Sequence, residues 1–142
     1  MSRVFNTPQF RAAMDNLKLI PGDWITFRID RDGKEMAVAD LTNLRELWLH
    51  QTGIGEAGLV YLKDLTNLEA LYLERTRIMD DGLENLKHLT KLRALQLNCR
   101  RVGDNGLAHL EGMTCLEYLS LAGTQVTDAG LKHLQGMTKL TS

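Results

Sequence analysis

The chain has 142 residues, with 17 basic and 18 acidic side chains and a formal net charge of −1. This length suits one ordinary domain or a short solenoid with a cap. The near balance of charge gives no indication of binding to nucleic acid or to an anionic membrane, and no apolar run reaches the length of a membrane span. The amino terminus lacks the apolar core of a secretory signal. We therefore expect a cytoplasmic protein, or a fragment of a longer exported one.

Residues 1–40 predict a helix followed by a β-hairpin. Thr7 offers an N-cap hydroxyl and Pro8 suits the first helical position, and apolar residues then recur at helical spacing up to Leu17. The Pro-Gly pair at 21–22 ends the helix. Alternating apolar residues then predict a half-buried strand, a tight turn and a second strand that leads into the next segment.

This segment resembles the carboxy-terminal half of a PDZ domain of the HtrA-type protease family. The matching residues are Pro21, Gly22, Asp23, Arg31, Asp32, Gly33 and Lys34. The family's peptide-binding groove also needs a carboxylate-binding loop and a strand from the other half of the domain, and the matching segment supplies neither. We therefore expect residues 1–40 to form a small α+β cap, with completion by a second chain as the alternative.

Residues 41–142 repeat at a period of 24. Four full copies begin at Leu41, Leu65, Leu89 and Met113, and a fifth begins at Met137. Self-similarity at this period predicts a solenoid, in which each unit buries its apolar face only against its neighbours. The chain therefore divides into a cap, residues 1–40, and a solenoid, residues 41–142.

Each copy predicts a strand followed by a short helix. In the first copy, Leu47 and Leu49 alternate with outward residues, as in a strand with one buried face, and Leu59 and Leu62 mark the buried stripe of a helix. An acidic residue precedes every helix, where it can cap free backbone N–H groups: Glu56, Asp80, Asp104 and Asp128. A glycine recurs two residues later: Gly58, Gly82, Gly106 and Gly130. Because glycine inside a helix costs about 1 kcal/mol, we expect a Cβ there to collide with the neighbouring coil.

The pattern LxxLxxLxLxxTxITDxGLxxL resembles leucine-rich repeats with a helical convex side, and is similar to the cysteine-containing and bacterial GALA-type repeats. The resemblance covers 102 of the 142 residues. It implies an α/β solenoid with a parallel concave sheet and short helices on the convex side. In the family an Asn or Cys commonly occupies the turn after the strand, where this chain has Thr52, Thr76, Arg100 and Thr124. Because a guanidinium is costly to bury, we expect Arg100 to turn outward and distort the third coil.

The outward strand residues are the candidates for binding a protein or peptide partner, because exposed aromatics on a regular sheet are typical anchors. They are Trp48, His50, Tyr72, Glu74, Gln96, Asn98, Tyr118 and Ser120. The alternative for Trp48 and Tyr72 is that they cover the junction with the cap. A parallel column alternates in sign and predicts a cross-strand ionic ladder whose main role is stability: Arg45, Glu69, Arg93 and Glu117.

The third turn is a second candidate site. Cys99, Arg100 and Arg101 depart from the repeat there, and two arginines suit a carboxylate or a phosphate; drift in a tolerant loop is the alternative. Cys99 and Cys115 fall at different phases of adjacent repeats, so we expect reduced thiols.

The sequence does not favour an enzyme. Ser120 and His50 lie three strand spacings apart, roughly 14 Å, which exceeds the reach of a nucleophile and its base. His88, His109 and His133 do not complete a metal-ligand set, and no nucleotide-binding motif is present. We predict a non-enzymatic protein-interaction module without metal or cofactor. The alternatives are a dimeric structural unit, joined through the carboxy-terminal coil that ends at Leu140 or through the PDZ-like segment, and a peptide-binding regulatory fragment of an HtrA-like system.

Overall fold

The structure, a computed structural model, describes residues 45–51 and 53–141. The predicted cap, residues 1–40, lies outside the described residues, and so do Thr52 and the first residues of the first repeat. The described chain alternates short strands with short helical segments. The strands are β1 (Glu46–Trp48), β2 (Ala70–Tyr72), β3 (Ala94–Gln96) and β4 (Tyr118–Ser120).

The four strands form one parallel sheet in sequence order, β1-β2-β3-β4. The register pairs each residue with the one 24 positions later, so that Leu47 lies opposite Leu71, Leu71 opposite Leu95 and Leu95 opposite Leu119. A repeat of fixed length produces this register because every coil returns the chain to the same point, one strand further along. The predicted parallel sheet of a leucine-rich-repeat solenoid is confirmed.

The core runs through the stack as columns of equivalent leucines. Leu71, Leu83 and Leu95 are fully buried, as are their counterparts in the neighbouring coils. Fully burying a leucine side chain contributes about 1.5–3 kcal/mol, and here nearly all of that burial comes from contacts within a coil or with the adjacent coil. The predicted burial of the repeating apolar positions is confirmed for the second and third coils, whereas Leu131 in the fourth coil is 46% exposed.

The opposite side of each coil is helical but only partly α-helical. The α-helices are α1 (Glu56–Leu59), α2 (Asp104–Ala108) and α3 (Asp128–Leu131), and the 3₁₀ helices are Val60–Leu62, Asp80–Leu86 and Lys132–Leu134. An α-helix with its side chains is about 10 Å wide, whereas neighbouring strands lie about 4.8 Å apart. Short, narrow helical turns reduce this mismatch, and the remaining mismatch curves a solenoid with its sheet on the concave side.

The expected capping of free backbone N–H groups by the acidic residues is seen at Asp80 and Asp104, where it runs across to the following coil. Asp80 Oδ1 accepts a hydrogen bond from the backbone N–H of Gly103 at 2.6 Å, and Asp104 Oδ1 accepts one from Thr127 at 2.7 Å. Both donors are N-cap residues of the following coil. A carboxylate in the first turn points toward the next coil, where unpaired N–H groups are within reach.

The recurring glycines face these carboxylates. A Cβ added at Gly106 would lie 2.7 Å from Asp80 Oδ1, and one added at Gly130 would lie 3.1 Å from Asp104 Cα and closer still to its carboxylate. At Gly82 the added atom would meet the Glu56 side chain at 2.9 Å. The expected collision with the neighbouring coil is therefore confirmed at these three positions.

Candidate protein-interaction surface

The candidate surface, called the sheet face below, consists of the outward side chains of β1–β4 and the residues that flank them. Each strand buries its central leucine and directs the residues on either side outward. The parallel register then aligns the outward residues into columns that cross the strands. One column contains Trp48, Tyr72, Gln96 and Ser120, and all four are half-buried.

Aromatic side chains gather at the β1 side of the sheet face. The rings of Trp48 and Tyr72 lie with their centroids 4.6 Å apart in a tilted arrangement, and the His50 ring meets the Trp48 ring edge-on at 5.8 Å. Trp48 Nε1 donates a hydrogen bond to Glu46 Oε1. Ring pairs at these separations stabilise each other beyond the area they bury, so the sequence candidates Trp48, His50 and Tyr72 form one aromatic cluster.

Tyr118 stands apart from that cluster. It lies on β4, two strand spacings from Tyr72 (about 10 Å), and its register partner is Ala94. Its side chain is 41% exposed, in contrast to the half-buried outward residues of the other strands. The small side chains of Ala70 and Ala94 continue the same column toward β1. The three predicted aromatic anchors therefore occupy two separate places on the sheet face.

The polar candidates between them are bonded to one another across strands. Gln96 Nε2 donates to Glu74 Oε2 at 3.0 Å. Asn98 Oδ1 accepts from the Ser120 hydroxyl at 2.7 Å and from the backbone N–H of Ala122 at 2.9 Å. Such paired groups are held in one geometry before a partner arrives, which lowers the entropy lost on binding.

The predicted ionic ladder is present as two ion pairs. Arg45 pairs with Glu69 at 3.2 Å, and the Arg93 guanidinium donates to both carboxylate oxygens of Glu117 at 3.0 Å. The hydrogen bond from Arg93 holds the pKa of the Glu117 carboxyl below its ordinary value. These side chains are substantially exposed, and exposed pairs contribute little to stability.

The third turn differs from the other described turns, as predicted. The residue with positive φ is Gln51, Arg75 or Gly123 in the other coils, but it is Asn98, one position earlier, in the third. The shift directs the Cys99 side chain inward, where it is fully buried, and leaves Arg100 and Arg101 exposed. The outward turn of Arg100 and the local distortion of the coil are confirmed.

Cys99 bonds to the preceding coil, whereas the described turn threonines bond within their own coil. Thr76 Oγ1 donates to Leu73 O at 2.7 Å, and Thr124 Oγ1 donates to Leu121 O at the same distance. In the third coil, Cys99 Sγ donates to Leu73 O at 3.2 Å and lies 3.3 Å from Thr76 Oγ1. Burial raises the pKa of the Cys99 thiol, which disfavours the reactive thiolate. Cys99 therefore has a structural role in the turn.

The described residues do not bring together a catalytic or metal-binding set. Ser120 and His50 belong to the two edge strands of the sheet, or flank them, and remain separated by two strands. His133 Nδ1 contacts the Glu111 carboxylate, but within the described ranges no three His, Cys, Asp or Glu side chains are grouped as a metal ion would require. Among the helices described, none is both long enough and apolar enough to cross a membrane.

The geometry is that of a leucine-rich-repeat solenoid, and residues 112–134 match the family model described as Leucine Rich repeat. The 24-residue register of the described strands fits the repeat that this family model describes. No curated protein matches the chain.

Two solved structures from Listeria monocytogenes are similar to the chain. An internalin (inlF) is 24% identical with a TM-score of 0.48, over 71% of this chain and 34% of that one. An internalin C2 (inlC2) is 25% identical with a TM-score of 0.37, over 72% of this chain and 62% of that one. The chain thus spans about a third of the length of the first of these proteins and less than two thirds of the second.

Sequence reasoning missed two features of this surface. The first is the role of Asn98, whose side chain organises the turn after β4. The second is the bond from Gln125 Nε2 to the carbonyl of Arg100 at 2.9 Å, which fixes the third turn. In the sequence, both features are indicated only by Arg100, which stands where the other repeats have threonine. A turn without the threonine hydroxyl needs other hydrogen bonds to hold its shape.

Proposed function

We propose that the protein binds a protein partner on the sheet face, with Tyr118 as the main anchor and the aromatic cluster of Trp48, His50 and Tyr72 as a second contact. The observation that carries the proposal is the 41% exposure of Tyr118 on a rigid parallel strand. Tyrosine is enriched among interface residues whose removal is most costly. Its register partner, Ala94, is a small residue.

The rest of the sheet face supports a binding role in place of a catalytic one. Its polar residues are already paired across strands, at Glu74–Gln96 and Asn98–Ser120. The Cys99 thiol, in the turn after β3, is buried, and this burial raises its pKa. Extended solenoid sheets are the surfaces by which repeat proteins bind their partners.

The test is comparative affinity capture with Tyr118→Ala and with Val60→Ala as the matched control. Val60 is also 41% exposed but lies on the helical side. We expect partners retained by the wild type and by Val60→Ala to be lost from Tyr118→Ala, with a weakening of at least tenfold in Kd for an isolated partner. Circular dichroism should show all three proteins equally folded. Undiminished binding by Tyr118→Ala would contradict the proposal.

A second candidate function is self-association through the fourth coil. Leu131 is 46% exposed, whereas Leu59, Leu83 and Leu107 at the same phase are fully buried. An exposed leucine inside a row of core positions favours contact with another apolar surface. Light scattering after size exclusion tests this idea with Leu131→Lys as the comparison: a dimer that the substitution dissociates supports it, and a monomeric wild type at high concentration contradicts it.

A further inference from the structure

Four arginines form one exposed cluster, the arginine edge, on the turns that follow β2 and β3. They are Arg75, Arg77, Arg100 and Arg101, and all are exposed. Residues 75–79 and 99–103 contain these four arginines and neither aspartate nor glutamate. In a chain whose net charge is −1, this is a local concentration of positive charge.

The backbone places the two turns side by side. The N–H of Arg75 donates to the carbonyl of Asn98 at 3.4 Å, and Met79 forms a parallel bridge with Arg101. Adjacent parallel segments lie about 4.8 Å apart. The four exposed arginines therefore lie on two adjacent turns of the backbone.

Most of this charge is not neutralised by the residues that the structure describes. Arg75 Nε pairs with Glu74 Oε1 at 3.4 Å, while its side chain stays 69% exposed. Across residues 45–51 and 53–141, Arg77, Arg100 and Arg101 have no carboxylate at ion-pairing distance. Like charges held this close repel one another, so the patch favours an anionic ligand.

The third turn is rebuilt in a way that displays Arg100. In the second and fourth coils, Thr76 and Thr124 donate to a backbone carbonyl of their own coil. The third coil has Arg100 at this position and lacks the equivalent threonine bond. Asn98 adopts a φ of 23° instead, an uncommon value for a residue other than glycine. Asn98 Oδ1, Cys99 Sγ and Gln125 Nε2 then hold the altered backbone. Departures of this kind concentrate at functional sites.

We propose that the arginine edge binds a carboxylate-rich segment of a protein partner. Guanidinium groups form paired hydrogen bonds with carboxylates, and four of them on two neighbouring turns match a short run of aspartate or glutamate. A nucleic acid fits less well, because residues 75–79 and 99–103 include no aromatic side chain on which a base could stack. This surface is distinct from the anchors of the sheet face.

The experiment measures fluorescence anisotropy of a labelled octaglutamate peptide with the wild-type chain and with an Arg77→Glu/Arg101→Glu variant. We expect saturable binding that weakens as salt rises from 50 to 300 mM, because salt screens exposed charges. The double reversal should weaken binding by at least about tenfold. The neutral variant Arg77→Gln/Arg101→Gln should show an intermediate loss of affinity for octaglutamate. It replaces the charge-reversed variant if circular dichroism shows that the latter is unfolded.

The matched control is Lys63→Glu/Lys132→Glu, which changes the net charge equally at two exposed positions on the helical side. We expect the Kd of this control for octaglutamate to lie within about twofold of the wild-type value, because salt screens charges that are far from the patch. The Tyr118→Ala variant should bind octaglutamate as the wild type does. Absent peptide binding, or an equal loss in the lysine control, overturns the proposal. Tighter binding of an octathymidylate through the same arginines also overturns it and assigns the edge to nucleic acid.

Discussion

At the residue scale, Gly130 packs closely against Asp104 of the preceding coil. Gly130 is buried, and the volume that a side chain would need is filled by Asp104 of the preceding coil, including its backbone Cα. The Asp104 carboxylate occupies the space that a side chain at position 130 would need, and from there it bonds to Thr127. Aspartate in one coil and glycine in the next are therefore a single packing unit.

The substitution Gly130→Ala should destabilise the protein by about 1–3 kcal/mol, the range typical of overpacked sites. Alanine would gain about 1 kcal/mol in helix propensity, but the clash involves backbone that cannot rotate away. Urea denaturation measures the change. The control is Gly112→Ala, because a Cβ there meets nothing within 4 Å, and we expect it to stay within about 0.5 kcal/mol of the wild type. Equal stability of the two variants would show that close packing does not select glycine at position 130.

At the scale of the element, the N-cap residues of α2 and α3 are hydrogen-bonded to carboxylates of the coil before them. Thr127 Oγ1 accepts from the N–H of Ala129 at 3.2 Å and donates to Asp104 Oδ2 at 2.7 Å. The backbone N–H of Thr127, its hydroxyl and the backbone N–H of Gly130 hold the pKa of the Asp104 carboxyl below its ordinary value. Helix α3 is thus anchored to the third coil by a titratable group.

This arrangement predicts an acid-sensitive contribution to stability. Because the pKa of Asp104 is lower in the folded state than its ordinary value of 3.8, the folded state binds fewer protons near that pH. The contribution is fully present above the unfolded-state pKa and is lost as pH falls through the folded-state pKa. The difference in melting temperature between the wild type and Asp104→Asn should be largest near pH 7 and shrink below pH 4 or so.

The control for the pH series is Asp128→Asn, at the same phase of the fourth coil. Its side chain is exposed and, among the described residues, makes no hydrogen bond to a neighbouring coil comparable to that of Asp104. We expect this substitution to change the melting temperature little at any pH. A gap between the wild type and Asp104→Asn that stays constant from pH 7 to pH 3 would show that the carboxylate's charge is not what anchors α3.

Strands, register and buried positions were predictable from the sequence, whereas the helix caps were not. The alternation of Leu47 and Leu49 and the fixed period determine a parallel sheet because only one register repeats every 24 residues. The acid before each helix suggests an N-cap by spacing alone. Whether Asp104 turns back to its own helix or forward to the next depends on the distance between coils, which no single repeat encodes.

At the scale of the whole molecule, the sequence predicted which residues belong to the candidate surface but not which of them contact one another. The sequence identifies Trp48, Tyr72 and Tyr118 as outward aromatics. It does not reveal that the first two stack together while the third stands alone, because ring contacts depend on side-chain rotation. The arginine edge was seen only in part: Arg100 and Arg101 break the repeat pattern, but Arg75 and Arg77 join them only through the pairing of neighbouring coils.

The carboxylates of Asp80 and Asp104 each reach forward, from one coil to the N-cap residue of the next. The third coil therefore carries both halves of the joint, with the N–H of Gly103 as the donor to the coil before it and Asp104 as the acceptor for the coil after it. A gene duplication of the 24 codons of this coil would reproduce the donor and the acceptor together. Growth of such a protein by whole repeats requires no new interface, so its length can change while its joints stay the same.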